Sequence, residues 1–508
     1  MMRLRFLAAF MLLWSGGMSA VQAQSALTPN TPISSSIAAN GAQNWTFQAY
    51  TGGVWSFHVE GEADFDPMIA LTDSSGRELT ANDDYDYPNT RDALLEAVTV
   101  NRIDTYTLTV RGFEGGAGAY QVTMLPGFAR ELVADDFAAG VDTWQPSDAN
   151  QVARAADGAL ELVTQGGAVR TPFAVSSTIE PLQDFYLQAR VVSMNNNAGW
   201  IVGATLRRTG NTYYLVEFNQ QGLWRFSLVQ NSTLTTLRDW TPHPNIVAGT
   251  TAFTFGVMAR GSGFDVFYNN GFIGQISDIT IRDAGTIGLA AGTVSSADSR
   301  TTARFDDLLI TVPFNSDGAP IIPDRVIVSD STNMTAALKR NHVVSASGTL
   351  ALTVPDVMVE FARAGVNRQM VGQATRYTDF ALGTTIEIDP ASVGVAGCGL
   401  IVRQTDETNY TVAYLDTTGG YGISQRSGDA FAPGLFGVDA RFVETPANAG
   451  RHHLLLIADR NTLYFYVDGH FVGTAESDPQ AGEVGTAVIN FDDVITTCRF
   501  ADLWLWRW

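Results

Sequence analysis

Two neighbouring acidic turns near the start of the chain carry the side chains best suited to binding a divalent cation. They contain the oxygen ligands Asp64, Asp66, Asn82, Asp83, Asp84 and Asp86. Calcium takes about six to eight oxygen ligands, so the first five of these residues predict a Ca²⁺ site. The alternative is a pair of solvated turns, because Asp66-Pro67 and Asn82-Asp83 are also ordinary turn formers.

A second carboxylate pair, Glu387 and Asp389, could perform acid–base chemistry. On one strand these side chains share a face about 6 to 7 Å apart, a separation that glycoside hydrolysis can use. Pro390 argues against a regular central strand here, so we expect no catalytic residue at this position. The histidines form no zinc motif, and consecutive His452 and His453 point to opposite faces of a strand, which favours a structural role.

Tryptophans offer a different chemistry, because an indole presents a flat apolar face on which a pyranose ring stacks. The candidates for glycan binding are Trp200, Trp224 and Trp240, with core packing as the alternative. Trp504, Trp506 and Trp508 alternate along one C-terminal strand and put three indoles on one face. That row predicts packing between modules or, alternatively, contact with a glycan.

The elements that must position these residues are strands, and they recur in two copies, near residues 128 to 313 and 325 to 508. The stretch from Gly203 to Tyr214 matches the stretch from Gly399 to Tyr410, with Arg207 matching Arg403. Each copy then has a hairpin signal, Asn-Asn-Gly at residues 269 to 271 and Asp-Gly at 468 and 469. Proline-rich residues 314 to 324 predict a linker between the copies.

Residues 25 to 127 alternate apolar and polar side chains and predict a separate β domain. Their landmarks resemble the bacterial pre-peptidase C-terminal domain: residues 64 to 73, Gly76, residues 82 to 84 and residues 118 to 120. This resemblance implies a jelly-roll-like accessory module, and some relatives of that family bind calcium near such positions.

The two copies resemble concanavalin A-like sandwiches of the laminin-G and lectin or glucanase type. The landmarks are the strand that contains Tyr214 or Tyr410, the Asn/Asp-Gly hairpin, the Ala-Gly-x-Ile/Val-Gly turn, and a closing Arg-Phe-x-Asp-Leu strand. The chain is therefore predicted to be all-β, a jelly-roll-like β-sandwich followed by two tandem concanavalin A-like β-sandwiches. Glucanases of this type carry a second glutamate after the Glu-x-Asp pair, and Ser392 stands there instead.

The N-terminus predicts export. Arg3 and Arg5 precede an apolar run, and small residues ending at Ala23 form a cleavage site, so residues 1 to 23 read as a signal peptide. In an oxidising compartment Cys398 and Cys498, whose counterparts in the other copy are apolar, predict a disulfide; two buried thiols are the alternative. With 52 acidic and 31 basic side chains, nucleic acid is an unfavourable partner. We expect no membrane insertion of the mature chain.

Together these patterns predict a secreted or cell-surface, non-catalytic binding or adhesion protein directed at polysaccharide or another surface glycan. Calcium is the one cofactor that the sequence suggests. Two alternatives stay open: a secreted polysaccharide-active enzyme, and an extracellular scaffold that binds cell-surface proteins.

Overall fold

The computed structural model describes residues 25–86, 89–165, 171–195, 199–293, 300–316, 318–322, 331–389, 394–443, 450–493 and 495–508. The predicted signal peptide and Ser392 lie outside these residues. The described chain is almost entirely β-structure, as predicted, and three pairs of sheets form three sandwiches. Its single α-helix is too short and too polar to cross a bilayer, and no other described helix is long enough.

The first module contains nine strands and one turn of 3-10 helix at Phe113–Gly115. The strands are β1 Ser25–Ala26, β2 Ile33–Ile37, β3 Ala42–Ala49, β4 Val54–Gly61, β5 Pro67–Thr72, β6 Glu78–Asn82, β7 Ala93–Thr99, β8 Asp104–Gly112 and β9 Gly118–Pro126. A five-stranded sheet in the order β1-β3-β8-β5-β6 packs on a four-stranded sheet in the order β2-β9-β4-β7. Alternate residues of both sheets fill the core, including Phe57, Leu71 and Leu108.

The first large sandwich has fifteen strands. They are β10 Arg130–Asp135, β11 Trp144–Pro146, β12 Gln151–Ala156, β13 Ala159–Gln165, β14 Phe173–Ser176, β15 Phe185–Asn195, β16 Trp200–Thr209, β17 Thr212–Asn219, β18 Leu223–Gln230, β19 Thr233–Pro242, β20 Phe253–Arg260, β21 Gly263–Tyr268, β22 Gly271–Ser277, β23 Thr286–Thr293 and β24 Arg300–Val312. One sheet runs β12-β13-β24-β15-β20-β21-β22, with β10 paired to β24, and the other runs β11-β14-β23-β16-β17-β18-β19.

The second large sandwich follows a helix, α1, at Ser331–Arg340. Its strands are β25 Thr349–Phe361, β26 Gly365–Val371, β27 Phe380–Ile388, β28 Ala396–Asp406, β29 Asn409–Asp416, β30 Thr418–Ser427, β31 Ala430–Val443, β32 Arg451–Asp459, β33 Thr462–Val467, β34 His470–Glu476, β35 Glu483–Asn490 and β36 Thr496–Arg507. The sheets run β25-β36-β27-β32-β33-β34 and β26-β35-β28-β29-β30-β31. This order repeats that of the first sandwich: β24-β15-β20-β21-β22 corresponds to β36-β27-β32-β33-β34, and β14-β23-β16-β17-β18-β19 corresponds to β26-β35-β28-β29-β30-β31.

The strand register corrects one part of the residue alignment between the copies. Thr205 and Ile401 are equivalent in the alignment, since each comes two residues after its matching glycine. Thr205 pairs with Leu215, ten residues later, whereas Ile401 pairs with Val412, eleven residues later. The hairpin loop of the second copy is therefore one residue longer. Tyr213, and not Tyr214, is the counterpart of Tyr410.

The repeated arginines Arg207 and Arg403 have a structural role in both sandwiches. Each lies at a bulge with positive φ, 48° and 52°, and each is buried. The Arg207 Nη1 donates to the carbonyl oxygen of Gly261 at 2.7 Å, and Arg403 Nη2 donates to that of Arg460 in the equivalent turn. A buried guanidinium that saturates turn carbonyls removes unpaired polar groups from the sandwich edge.

Helix α1 is the element that the sequence did not indicate, and the row of C-terminal indoles packs against it. Trp504 and Trp506 are buried in one cluster with Met334 and Leu338 of the helix. The Lys339 ammonium lies 4.4 Å from the centroid of the Trp506 ring. Trp504, Trp506 and Trp508 thus pack around helix α1, whereas the sequence predicted packing between modules or contact with a glycan.

All three modules meet near the end of helix α1. The Thr99 hydroxyl of the first module lies 2.7 Å from Nε2 of His342, and His342 Nδ1 lies 3.6 Å from Oδ2 of Asp265 in the first sandwich. Burial lowers the pKa of His342 to about 3, and the nearby Arg260 adds to this effect. Burial also raises the pKa of Asp265 to about 7. Near neutral pH the junction therefore holds a neutral imidazole beside a carboxyl that is partly protonated.

Candidate functional site

The outer face of the first sandwich's seven-stranded sheet carries a row of polar and aromatic side chains. Val216 and Phe218 of β17 point into the core, so alternation turns Glu217 outward. Glu217 pairs across the strands with Arg225 of β18, and Trp240 lies on the neighbouring edge strand β19. Three adjacent strands thus bring these three residues together.

A buried ion pair forms the centre of this row. Glu217 is fully buried, and its Oε2 accepts hydrogen bonds from Arg225, with Nε at 2.7 Å and Nη2 at 2.5 Å. Its other oxygen, Oε1, accepts from the Thr171 hydroxyl at 2.5 Å. Because Nε and Nη2 both donate to Glu217, the carboxylate fixes the orientation of the guanidinium. Removing one partner of such a buried charge pair would be strongly destabilising.

Trp240 completes the site. The Arg225 guanidinium carbon lies 4.6 Å from the centroid of the Trp240 ring, and the indole is half-buried at the sheet edge. Arg225 has five N–H donors, of which the carboxylate uses two, and its side chain keeps 19% of its exposure. The site therefore combines oriented donors with an accessible aromatic surface, which suits a ligand that has both hydroxyl groups and an apolar C–H face.

Trp200 and Trp224 do not form exposed stacking platforms, and that prediction is wrong for both. Trp200 is 3% exposed and Trp224 is fully buried in the core between the two sheets. A Cβ atom added at Gly274 of the facing sheet would lie 2.4 Å from the Trp224 ring, so the indole occupies the space above that glycine. Trp224 lies two residues before the inward-facing Phe226 on the same strand, so both side chains point to the core.

Two carboxylates of the predicted calcium site, one in each acidic turn, have an oxygen atom that could bind a cation. Asp66 and Asp84 each have a buried Oδ1 without a hydrogen-bond partner among the described residues. Burial raises the pKa of Asp84 to about 6, with contributions from Asp66 and Asp83. Burial also raises the pKa of Asp66, and Asp83 adds to it while Arg91 opposes it. The three carboxylates are therefore near enough to repel one another.

The other predicted ligands are placed differently. Asn82 is buried, and its Oδ1 accepts a hydrogen bond from the Leu94 amide at 2.8 Å, so it anchors the turn to strand β7. Asp64 is exposed. Among the residues that the structure describes, no three His, Cys, Asp or Glu side chains are grouped as metal ligands. The fit to calcium is thus limited to Asp66 and Asp84, and the metal stays a prediction.

Glu387 belongs to a surface ion network. Its Oε2 lies 3.1 Å from Nη1 of Arg499, its Oε1 lies 3.8 Å from Nε of Arg451, and Arg499 also contacts Asp356 at 2.9 Å. Asp389 is exposed at the end of the strand. With both of its oxygens facing guanidinium groups, Glu387 is held in place by charge pairs.

The two consecutive histidines fasten a hairpin. The Asp468 carboxylate, in the turn between β33 and β34, lies 2.6 Å from Nδ1 of His452 and accepts a hydrogen bond from the backbone amide of His453 at 2.7 Å. Burial lowers the pKa of His453 to about 4. Both residues therefore have structural contacts.

The predicted disulfide is confirmed. Cys398 and Cys498 are bonded, with Cα atoms 5.7 Å apart, and both residues are buried. Cys398 lies on β28 and Cys498 on β36, so the bond joins the two sheets of the second sandwich.

Comparisons with known proteins found solved structures only. No family model matches the chain, and no curated protein matches it. The carbohydrate-binding module of family 66 from Bacillus subtilis is 16% identical, covers 33% of this chain and 93% of its own, and has a TM-score of 0.27. The pre-peptidase C-terminal domain of a Bacillus anthracis collagenase is 18% identical, covers 20% of this chain and 93% of its own, and has a TM-score of 0.17. A Bacillus licheniformis β-glucanase is 9% identical, covers 36% of this chain and 98% of its own, and has a TM-score of 0.28.

Proposed function

We propose that this chain is an exported, non-catalytic glycan-binding protein whose first large sandwich binds a polysaccharide on its outer face. The observation that carries the proposal is the row formed by Glu217, Arg225 and Trp240. A fixed guanidinium donates to vicinal sugar hydroxyls, and the indole at the sheet edge packs against the C–H face of the adjacent ring. The disulfide supports export to an oxidising compartment.

The test is binding of the full-length mature protein to an array of neutral polysaccharides, followed by calorimetry on any that bind. We expect Trp240→Ala to weaken binding by at least tenfold without changing the melting temperature. Arg225→Lys keeps the charge but loses the planar pair of donors, so it too is expected to weaken binding. Tyr50→Ala, which removes an aromatic ring that is 50% exposed on the first module, is the matched control.

The proposal fails if no polysaccharide binds the wild-type protein. It also fails if Trp240→Ala binds as tightly as Tyr50→Ala, because the indole would then make no contact with the sugar.

A Ca²⁺ ion at the first module is part of the proposal. Asp66 and Asp84 would hold it, since each has a buried oxygen with no hydrogen-bond partner among the described residues, and their mutual repulsion favours a cation between them. The ion would stabilise the two acidic turns and take no part in contacting the glycan.

A further inference from the structure

The second large sandwich has its own outer face, on the sheet β26-β35-β28-β29-β30-β31. Tyr410, Val412 and Tyr414 of β29 point to this face, while Ala413 and Leu415 point to the core. It corresponds to the face that carries Trp240 in the first sandwich, but its chemistry is different.

Two guanidinium groups lie on one tyrosine ring at this face. The guanidinium carbons of Arg368 and Arg426 lie 4.4 Å and 5.7 Å from the centroid of the Tyr410 ring. Arg368 lies on β26 opposite Ala487 of β35, and its side chain passes over β35 and β28 to reach the ring on β29. Arg426 is the direct cross-strand partner of Tyr410 on β30. Tyr410 itself is 2% exposed, so both guanidinium groups lie against a ring that is largely covered.

Both arginines have neutral hydrogen-bond partners in the part of the chain that the structure describes. The Arg368 Nη1 donates to Oε1 of Gln404 at 2.6 Å, and the Arg426 Nε donates to the Gly428 carbonyl at 3.0 Å. Within the described ranges, neither side chain forms an ion pair. In a chain of net charge −21, two guanidinium groups at one ring that have neutral partners are unusual, and an anion would supply the opposite charge that both lack. The corresponding face of the first sandwich differs, because Glu217 already neutralises Arg225 there.

Apolar rings continue the face along the edge strand β31. Phe431, opposite Arg426, is 47% exposed, and the Arg426 guanidinium also lies 5.7 Å from its ring. Phe436 is 69% exposed and lies opposite Gly422, above which the Tyr414 ring takes the place of a side chain. Such an exposed row of rings beside cations is suited to a ligand with an anionic group and an apolar face.

From this juxtaposition we infer a second binding site, which takes the anionic groups of an acidic polysaccharide, either uronate carboxylates or sulfate esters. Arg368 and Arg426 bind the anion with their remaining N–H donors, and Phe431 and Phe436 contact different sugar rings along the polysaccharide. The site shares no residue with the face around Trp240, so either site can fail without the other.

The experiment measures binding of the full-length protein to polygalacturonate and to dextran sulfate. Their uncharged counterparts, fully methyl-esterified polygalacturonate and dextran, are measured in parallel. We expect at least one polyanion to bind at least tenfold more tightly than its uncharged counterpart, and this preference to decrease as salt screens the charges. The two polyanions distinguish a carboxylate from a sulfate ligand.

Variants then locate the site. The double variant Arg368→Gln/Arg426→Gln is expected to lose at least tenfold in affinity for the polyanion. The matched control Arg451→Gln removes an exposed arginine on the other sheet of the same sandwich and should change affinity by less than twofold. If the double variant does not fold, as judged by its melting curve, the single variant Arg426→Gln replaces it.

Three results would overturn the inference. The first is equal binding of charged and uncharged polysaccharides. The second is a folded Arg426→Gln variant that binds as tightly as Arg451→Gln. The third is equally tight binding of a DNA duplex, which would mean attraction to any polyanion and no recognition of sugar.

Discussion

His342 and Asp265 contribute opposite pH dependences to the free energy of unfolding, and these cancel while both residues are present. Replacing either residue should therefore make the stability of the protein depend on pH. In the folded protein at pH 5, the carboxyl with a pKa of about 7 is protonated and the imidazole with a pKa of about 3 is neutral. In the unfolded chain, whose ordinary values are 3.8 and 6.5, the proton is on the histidine instead. Each state binds one proton, so the pair contributes almost no pH dependence between about pH 4 and 6.5.

The single variants separate two opposite effects. In Asp265→Asn only the histidine remains, its folded pKa lies below its unfolded value, and stability is lost as pH falls below about 6.5. From pH 7.5 to pH 5 this loss is about 2 kcal/mol, at about 1.4 kcal/mol per pH unit. In His342→Asn only the carboxyl remains, its folded pKa is raised, and acidification over the same range increases stability by about 2 to 3 kcal/mol. Asparagine is chosen because His342 has a φ of 54°, which asparagine tolerates.

The assay is urea unfolding of the full-length protein, followed by tryptophan fluorescence at pH 5 and at pH 7.5. His58 and His453 titrate in all three proteins, so the difference between variant and wild type isolates the pair. Parallel pH profiles for the wild type and both variants would refute the reasoning. They would mean that the two groups do not have the neutral forms on which the calculation depends.

Three further predictions concern the core, the disulfide and the metal. Cys398→Ala/Cys498→Ala should destabilise the second sandwich by about 4 to 5 kcal/mol, since the bond closes a loop over a separation of 100 residues; urea unfolding without reductant measures the loss, and an unchanged midpoint would contradict it. Trp224→Ala should cost about 3 to 5 kcal/mol by leaving a cavity between the sheets, as the melting temperature would show; a loss near zero would contradict the burial described. EDTA should lower the melting temperature of the wild type, because a bound cation at a hundredfold excess over Kd stabilises by about 2.7 kcal/mol. Asp84→Asn should abolish this response, and a wild-type curve insensitive to calcium would exclude the site.

Much of the fold could be predicted from local patterns, because alternation and hairpin turns are properties of neighbouring residues. The Asp468-Gly469 turn is an example, and both residues have the positive φ that such a two-residue hairpin requires. In the other copy the two loop residues are Asn269 and Asn270, one position earlier than the Asn-Gly pair suggested. Helix α1 was missed because its stability depends on distant indoles.

The site was less predictable, since its residues meet only through strand pairing. The strand from Thr212 to Asn219 carries one carboxylate among apolar residues, and that was the available signal for Glu217. Its partner Arg225 could be identified only once the register was known. For Trp224 the phase shared with Phe226 already indicated the core, and aromatic character alone was a poor guide to exposure.

The contacts of Arg207 and Arg403 have a consequence for how the two copies of the sandwich can change. In each copy the arginine that binds the turn carbonyls is buried at the edge of the sandwich. The outer-face residues at equivalent positions differ between the copies: Glu217 and Arg225 in one, Tyr414 and Gly422 in the other. The turn contacts therefore involve other side chains than the outer-face rows on which the two proposed binding sites depend. A duplicated module built this way can acquire a new ligand by surface substitutions alone, while its sibling keeps the old one.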